Sequence, residues 1–259
     1  MEDVLLSTRE EGVITVTLNR PHALNAITGA MAEAFCSLLE DVACRRDIAV
    51  LMLTGAGERA FSAGADLKER KAMTREELAN RNRKIHRACD MLELLPQPTI
   101  CMISGFCLGG GFELALAADI RVAAETAQFA FPEMALGAFP GAGGPIRLPR
   151  VVGPAWAKEI LFTGRRVGAQ EARALGLVHY VVPQSEVAER ARAIAGQILR
   201  SSPLGVRAVK QLVNRSLVMS TEDATAYARA LREPLEASQD YQEGLRAHFE
   251  KRDPRFTGE

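Results

Sequence analysis

At 259 residues with 47% apolar side chains, the chain is long enough for one large domain or two small ones around a substantial core. Lysine plus arginine and aspartate plus glutamate each total 32, so net charge gives no reason to expect a nucleic-acid or membrane partner. No stretch is apolar for long enough to span a bilayer.

The start, Met1-Glu-Asp-Val-Leu-Leu6, lacks the basic-then-apolar layout of a secretory leader. Val4 to Arg9 and Val13 to Asn19 predict two strands joined by a turn at Glu10-Glu11-Gly12. In the second, Ile14, Val16 and Leu18 alternate with Thr15 and Thr17, the period of a half-buried strand. Thr28 caps a predicted helix whose apolar positions are Met31, Ala34, Phe35, Leu38, Leu39 and Val42. Ala49 to Thr54 is apolar without interruption, which predicts a strand covered on both faces.

Gly55-Ala-Gly57-Glu-Arg-Ala60 matches a dinucleotide-binding pattern, but the loop-like Phe61-to-Asp66 stretch follows where a helix would be needed, and the nucleotide reading is rejected. Ala63-Gly64-Ala65-Asp66-Leu67 is a small-residue turn of the kind that places backbone amides at a ligand. Taken alone, it is equally compatible with a surface loop. Lys68 to Leu95 predicts a charged, helical segment with Met73, Leu78, Ile85, Cys89 and Leu92 on one apolar face. Its first part, to Arg87, holds eight Lys/Arg against three Glu. That run reads as a solvated face, a basic lip for a phosphorylated ligand, or an RNA contact. The lack of any aromatic side chain within it argues against RNA.

Thr99 to Ile103 predicts a buried strand, followed by Gly109-Gly110-Gly111 and a helix carrying Glu113 in its first turn. Glycine admits close backbone approach, and the first amides of a helix are unpaired and favour negative charge, so this corner can hold an oxyanion. The same pattern suits a tight strand-to-helix corner. Ile120 to Ala124 and Gln128 to Phe131 read as strands. Glu133 then stands among apolar neighbours beside the glycine-rich Gly141 to Gly144. A carboxyl in such surroundings is neutralised, has a chemical role, or faces solvent on a loop.

Beyond Gly153 the pattern is helical: Ala155–Phe162, Gln170–Leu175, Glu186–Leu199, Pro203–Leu217, Glu222–Glu236 and Tyr241–Lys251, interrupted by a strand at Val178 to Val182. A soft boundary near Gly196 to Ser202 divides a core, 1–196, from a helical region, 197–259. Five cysteines, an odd number without C-x-x-C, argue against a disulfide framework or a zinc site and suit a reducing compartment. His22, His86, His179 and His248 make no metal-ligand spacing, so no metal is expected.

Three stretches in this order and spacing, Ala63 to Leu67, Gly105 to Ala115, and Pro132-Glu133 with Pro140 to Gly144, resemble the enoyl-CoA hydratase/isomerase (crotonase) superfamily. The likeness runs from Leu18-Asn-Arg-Pro21 to Phe249-Glu-Lys-Arg252. Ala65-Asp-Leu-Lys-Glu-Arg70 and Asp119-Ile-Arg-Val-Ala-Ala124 place it nearest the methylglutaconyl-CoA hydratase and AU-binding branch.

The resemblance implies an α/β fold, a spiral of ββα turns with a helical C-terminal region used for trimers or hexamers. It implies a hydratase adding water syn across the 2,3-double bond of a 2-enoyl-CoA. The alternatives are a Δ3,Δ2-enoyl-CoA isomerase, another enzyme on the same scaffold, or a methylglutaconyl-CoA hydratase with a secondary RNA role. No cofactor is implied, coenzyme A being part of the substrate. On the same resemblance, the amides of Ala65 and Gly110 are those that bind the thioester oxygen, and the roles that follow are implied in the same way. Glu113 activates water and Glu133 protonates Cα, or the reverse, and the Gly141 amide orients the second acid. The Ala63, Gly64, Ala65, Asp66 and Leu67 backbone meets CoA, and Lys251 of a neighbouring subunit meets its phosphates. Phe131 and Pro145-Ile146 depart from the family pattern and bear on the acyl pocket. The compartment implied is a bacterial cytoplasm, or the mitochondrial matrix if a transit segment has been removed.

Overall fold

The computed structural model describes residues 4–259; Met1 to Asp3, where the leader pattern was lacking, lie outside the described residues. Strands β1 (Leu5–Glu10) and β2 (Val13–Leu18) form an antiparallel hairpin. Its turn is made by Glu11 and Gly12, at φ 43° and 81°. From β2 the sheet continues in parallel through β3 (Val50–Gly55), β5 (Thr99–Ile103), β7 (Ile120–Ala124) and β10 (Tyr180–Val182).

After β3, β5 and β7 the chain makes a second, three-residue strand: β4 (Ala60–Ser62), β6 (Phe106–Leu108) and β8 (Gln128–Ala130). These pair in parallel with one another, and the antiparallel β9 (Val167–Gly168) closes the smaller sheet. Each turn of the spiral thus lays one strand in each sheet. Two turns return through helices, α2 (Leu67–Lys71) with α3 (Arg75–Leu94), and α4 (Gly110–Ala117). A 3-10 turn (Pro132–Leu136), α5 (Gly144–Val152), α6 (Pro154–Thr163) and α7 (Ala169–Ala174) complete the circuit.

The apolar run of β3 follows from its two neighbours. Leu51 and Leu53 enter the main core with α1 (Gly29–Cys44), α3 and α4, while Val50 and Met52 face Val187, Ala191, Ile194 and Ala195 of α8 (Val187–Leu199). Burying each such side chain contributes roughly 1.5–3 kcal/mol. Thr28 caps α1, its hydroxyl accepting from the Met31 amide at 3.1 Å. The buried face is Met31, Ala32, Phe35, Cys36, Leu39 and Val42, so Ala34, expected inside, is exposed.

The long charged stretch is two helices rather than one. Thr74 caps α3 and the Glu77 carboxylate returns to the Thr74 amide at 2.8 Å, a reciprocal cap that starts a new helix. The glycine-rich run also ends sooner than expected. Pro145 sits in the first turn of α5, where its missing N–H is tolerated.

The boundary at Gly196 to Ser202 falls at the end of α8 and the start of α9 (Pro203–Ser216), which is followed by α10 (Thr221–Glu236) and α11 (Gln239–Glu250). Lys210 docks α9 on the core, its ammonium 2.8 Å from the Asp119 carboxylate and 3.0 Å from the Gln97 carbonyl. Buried Asp240 ties the tail down, accepting from the Thr257 and Gly258 amides at 2.8 and 3.1 Å. No side chain of α9 or α10 is fully buried, and Val209, Val213, Leu217 and Val218 are exposed.

Candidate active site

The smaller sheet positions the site. Because β4, β6 and β8 run parallel side by side, their carboxyl ends align, and the segments leaving them carry Ala65, Gly110 and Glu133. Ligands sit at the carboxyl ends of parallel strands for this reason. The sequence had tied the two glycine-bearing turns to the long strands β3 and β5. Three-residue β4 and β6 stand between.

The Ala65 turn is built by a buried asparagine. Asn25, at φ 55°, donates through Nδ2 to the Ala56 and Ala60 carbonyls at 3.0 and 2.8 Å, and its Oδ1 accepts from the Arg20 amide at 3.0 Å. Ser62 donates its hydroxyl to the Asn25 carbonyl at 2.8 Å and accepts from the Gly64 amide at 3.1 Å. Ile27 donates to the Gly64 carbonyl, and Asp66 donates its amide to the Ile27 carbonyl. The amides on both sides of Ala65 are therefore committed, and among the described residues that of Ala65 has no protein acceptor. The Asp66 carboxylate accepts from the Lys68 and Glu69 amides and pairs with Arg20 at 2.8 Å. Burial pushes its pKa up, but those amides and the guanidinium outweigh this and hold it below the usual range. Asp66 is thus engaged inside the protein. Of the five residues expected at CoA, Ala65 lines the cleft.

The three glycines serve three contacts. Gly109 takes φ 50° and ψ −124° before α4, and its Cα lies against Glu133, whose Cδ would be 3.2 Å from a Cβ there. Gly110 begins α4, where its amide has no intrahelical partner. Gly111 packs on β4: a Cβ would fall 2.6 Å from Ser62 Cβ and 2.7 Å from its carbonyl oxygen. Gly64 completes the approach, since a Cβ on it would stand 3.0 Å from the Gly110 nitrogen. Ala65 and Gly110 consequently lie side by side, a Cβ on Gly110 falling 3.8 Å from the Ala65 nitrogen, with the positive end of α4 at Gly110.

Glu113 lies in the first turn of α4 and is 3% exposed. Its Oε1 accepts from the Ala142 amide at 2.6 Å and the Gly144 amide at 2.8 Å. Burial raises its pKa to about 7 against the pull of those amides; Glu133 adds to the rise and Arg147 opposes it. Glu133 is half-buried in the 3-10 turn, and its Oε2 is buried with no hydrogen-bond partner among the described residues. Burial raises its pKa too, while the charge of Arg70 pulls it down. Two carboxyls thus differ in environment, one pinned by the amides of another segment and one with an oxygen left without a partner, as acid and base roles require.

Ala65, Gly110, Glu113, Glu133 and Gly141 line one cleft of about 260 Å³, with Arg70, Asn82 and Phe139 among its other walls. Gly141 was expected to orient the second acid. The amides that grip an acid are instead those of Ala142 and Gly144, and the acid is Glu113. Phe131, expected at the acyl pocket, is fully buried and stacks on Phe112 at 4.5 Å, beneath Gly144. It supports the α4–α5 junction. Ile146 is exposed, and Lys251 caps α11 at φ 53° without lining the cleft of its own chain. Asn25, Ala142, Gly144 and Arg147 were not singled out from the sequence. Ala142 and Gly144 entered only within the Pro140-to-Gly144 stretch, and nothing in the sequence marked Asn25 or Arg147.

A ββα spiral whose successive turns meet at one cleft, followed by a helical C-terminal region, is the crotonase fold. The sequence model of the enoyl-CoA hydratase/isomerase family matches residues 8–259, and the chain belongs to that family. It is 40% identical over 257 residues to the mitochondrial enoyl-CoA hydratase domain-containing protein 2 of Bos taurus, covering 96% of this chain and 86% of that one. It is 36% identical over 252 residues to the short-chain-enoyl-CoA hydratase of Clostridium acetobutylicum, covering 97% and 96%. The crystal structure of an enoyl-CoA hydratase from Bacillus anthracis superposes with TM-score 0.97 at 39% identity, over 99% of this chain and 100% of that one.

Proposed function

We propose that the protein is a hydratase of 2-enoyl-CoA thioesters. The observation that carries this reading is the pair of unlike carboxyls on one cleft beside two uncommitted amides. Attack of water at Cβ moves the electrons of the double bond onto the thioester oxygen, giving an enolate. Amides of Ala65 and Gly110 stabilise that charge, each worth about 3 kcal/mol in the transition state. Glu113, with Oε1 fixed by amides, holds the water through Oε2 and takes its proton. Glu133 delivers a proton to Cα, and the product is the 3-hydroxyacyl thioester. An isomerase needs only one acid to move a proton between carbons, so the second carboxyl favours hydration.

The exposed apolar side chains of α9 and of the turn after it, Val209, Val213, Leu217 and Val218, support assembly as a trimer or a dimer of trimers, which sedimentation giving a mass of one chain would exclude. RNA is disfavoured because the basic segment carries no aromatic side chain for stacking, and three of its eight cations are paired, Arg81 with Glu69, Lys84 with Glu33 and Arg87 with Glu40. A bacterial cytoplasm or mitochondrial matrix is the compartment in keeping with the relatives. Among the described residues no helix is long and apolar enough to cross a membrane.

Added crotonyl-CoA should lose its enoyl-thioester absorbance. Glu113→Gln and Glu133→Gln should each lower kcat by roughly 10²- to 10⁴-fold while CoA binding persists. Parent-like turnover in both variants would reject the reading, and faster conversion of a 3-enoyl than of a 2-enoyl thioester would favour the isomerase.

A further inference from the structure

The amides that hold Glu113 are held in turn, by a group with no part in the chemistry above. Residues 142–144 form a strap. Toward Glu113 it presents the Ala142 and Gly144 amides. Its Ala142 carbonyl accepts from Arg147 Nη1 at 2.8 Å. Two carboxylates of α3 fix the rest of the guanidinium: Nε and Nη2 stand 3.0 and 2.7 Å from Glu93 Oε2, and Nη2 is 2.8 Å from Asp90 Oδ1. Arg147 is 6% exposed, so this cation is kept inside by its partners. Gly143 takes φ 103°, and a Cβ there would overlap the guanidinium, so the strap is shaped around Arg147. Only a planar fork can serve a carbonyl on one edge and two carboxylates on the other.

We propose that Arg147 is a positioning residue: it clamps the strap between α3 and Glu113 and thereby fixes where the Glu113 carboxyl stands in the cleft. The kinetic arm of the test rests on the hydratase reading; the titration arm does not. The titratable groups acting on Glu113 are Glu133 from the 3-10 turn, Arg147 from α5 and, from α3, the thiol of Cys89, itself pushed up by burial. Arg70 and Arg81 also line the cleft. The cation of Arg147 favours the ionised form of Glu113, and Asp90 and Glu93 partly neutralise that cation.

The test follows the ¹³C signal of the Glu113 carboxyl, assigned with Glu113→Gln, through a pH titration, alongside crotonyl-CoA kinetics. Arg147→Met should move the Glu113 midpoint up by roughly one pH unit. It should also lower kcat roughly 10- to 100-fold with KM nearly unchanged. Arg147→Lys, which keeps the charge and loses the fork, should leave the midpoint near the parent's and still lower kcat. Glu93→Gln should move the midpoint down. Opposite shifts in Arg147→Met and Glu93→Gln cannot come from general loosening of the fold, and if Arg147→Met does not fold, the other two variants decide. Midpoints equal to the parent's in Arg147→Met and Glu93→Gln, or shifts in the same direction, would overturn the proposal. A parent inactive on every enoyl thioester would sink the hydratase reading and leave the titration result standing.

Discussion

Glu113 illustrates how a site residue works against the stability of its own fold. Its pKa rises from an ordinary 4.5 to about 7 because burial penalises the charge more than two amides favour it. The folded state therefore binds the proton more tightly than the unfolded chain. That contribution is fully present below the unfolded value and is lost as pH rises through the folded one. Glu113→Gln keeps an acceptor for both amides and never ionises. It should match the parent near pH 5 and exceed it by on the order of 2–3 kcal/mol at pH 8, measured by urea unfolding at both pH values. A stability difference that does not change with pH would contradict the assignment of the shift to burial. At this scale Glu113 and Glu133 stood out in the sequence as carboxyls beside glycines and apolar residues, and it was the family resemblance that paired them. Asn25 and Arg147 did not, because each matters through carbonyls that only the folded chain brings to it, Ala56 and Ala60 for one and Ala142 for the other.

Among the elements, the contact of α4 with β4 sets the distance between the two candidate oxyanion amides. Gly111 makes that contact against the backbone and Cβ of Ser62, which cannot rotate away. Gly111→Ala should cost roughly 1–3 kcal/mol of stability by overpacking. It should also lower kcat, since α4 must retreat and carry Gly110 with it. An unchanged urea midpoint would show that the junction is looser than it looks. The long helices were readable from their 3.6-residue period and the long strands from their alternation or continuous apolar runs. Of the smaller sheet only β8 was readable, as Gln128 to Phe131; β4 and β6, three residues each, and the two-residue β9 are too short to show a period. For the same reason the start of α5, with glycine and proline in its first turn, read as a loop.

At the level of the whole molecule, the spiral converts repetition in sequence into convergence in space. Three successive turns leave the smaller sheet at the same edge, so residues 65, 110 and 133, distant along the chain, meet at one cleft. The order of the motifs along the chain made this arrangement expected, while the register that brings it about runs through β4 and β6, which the sequence did not reveal. The central claim is that this edge grips a thioester by its oxygen and sets both acids over the adjacent carbons. A crystal structure with the unreactive thioester butanoyl-CoA tests it most directly. The account predicts the thioester oxygen about 2.7–3.1 Å from the nitrogens of both Ala65 and Gly110, with Glu113 and Glu133 flanking Cα and Cβ. An acyl carbonyl beyond the reach of either amide, or an acyl chain directed away from the two carboxyls, would contradict it.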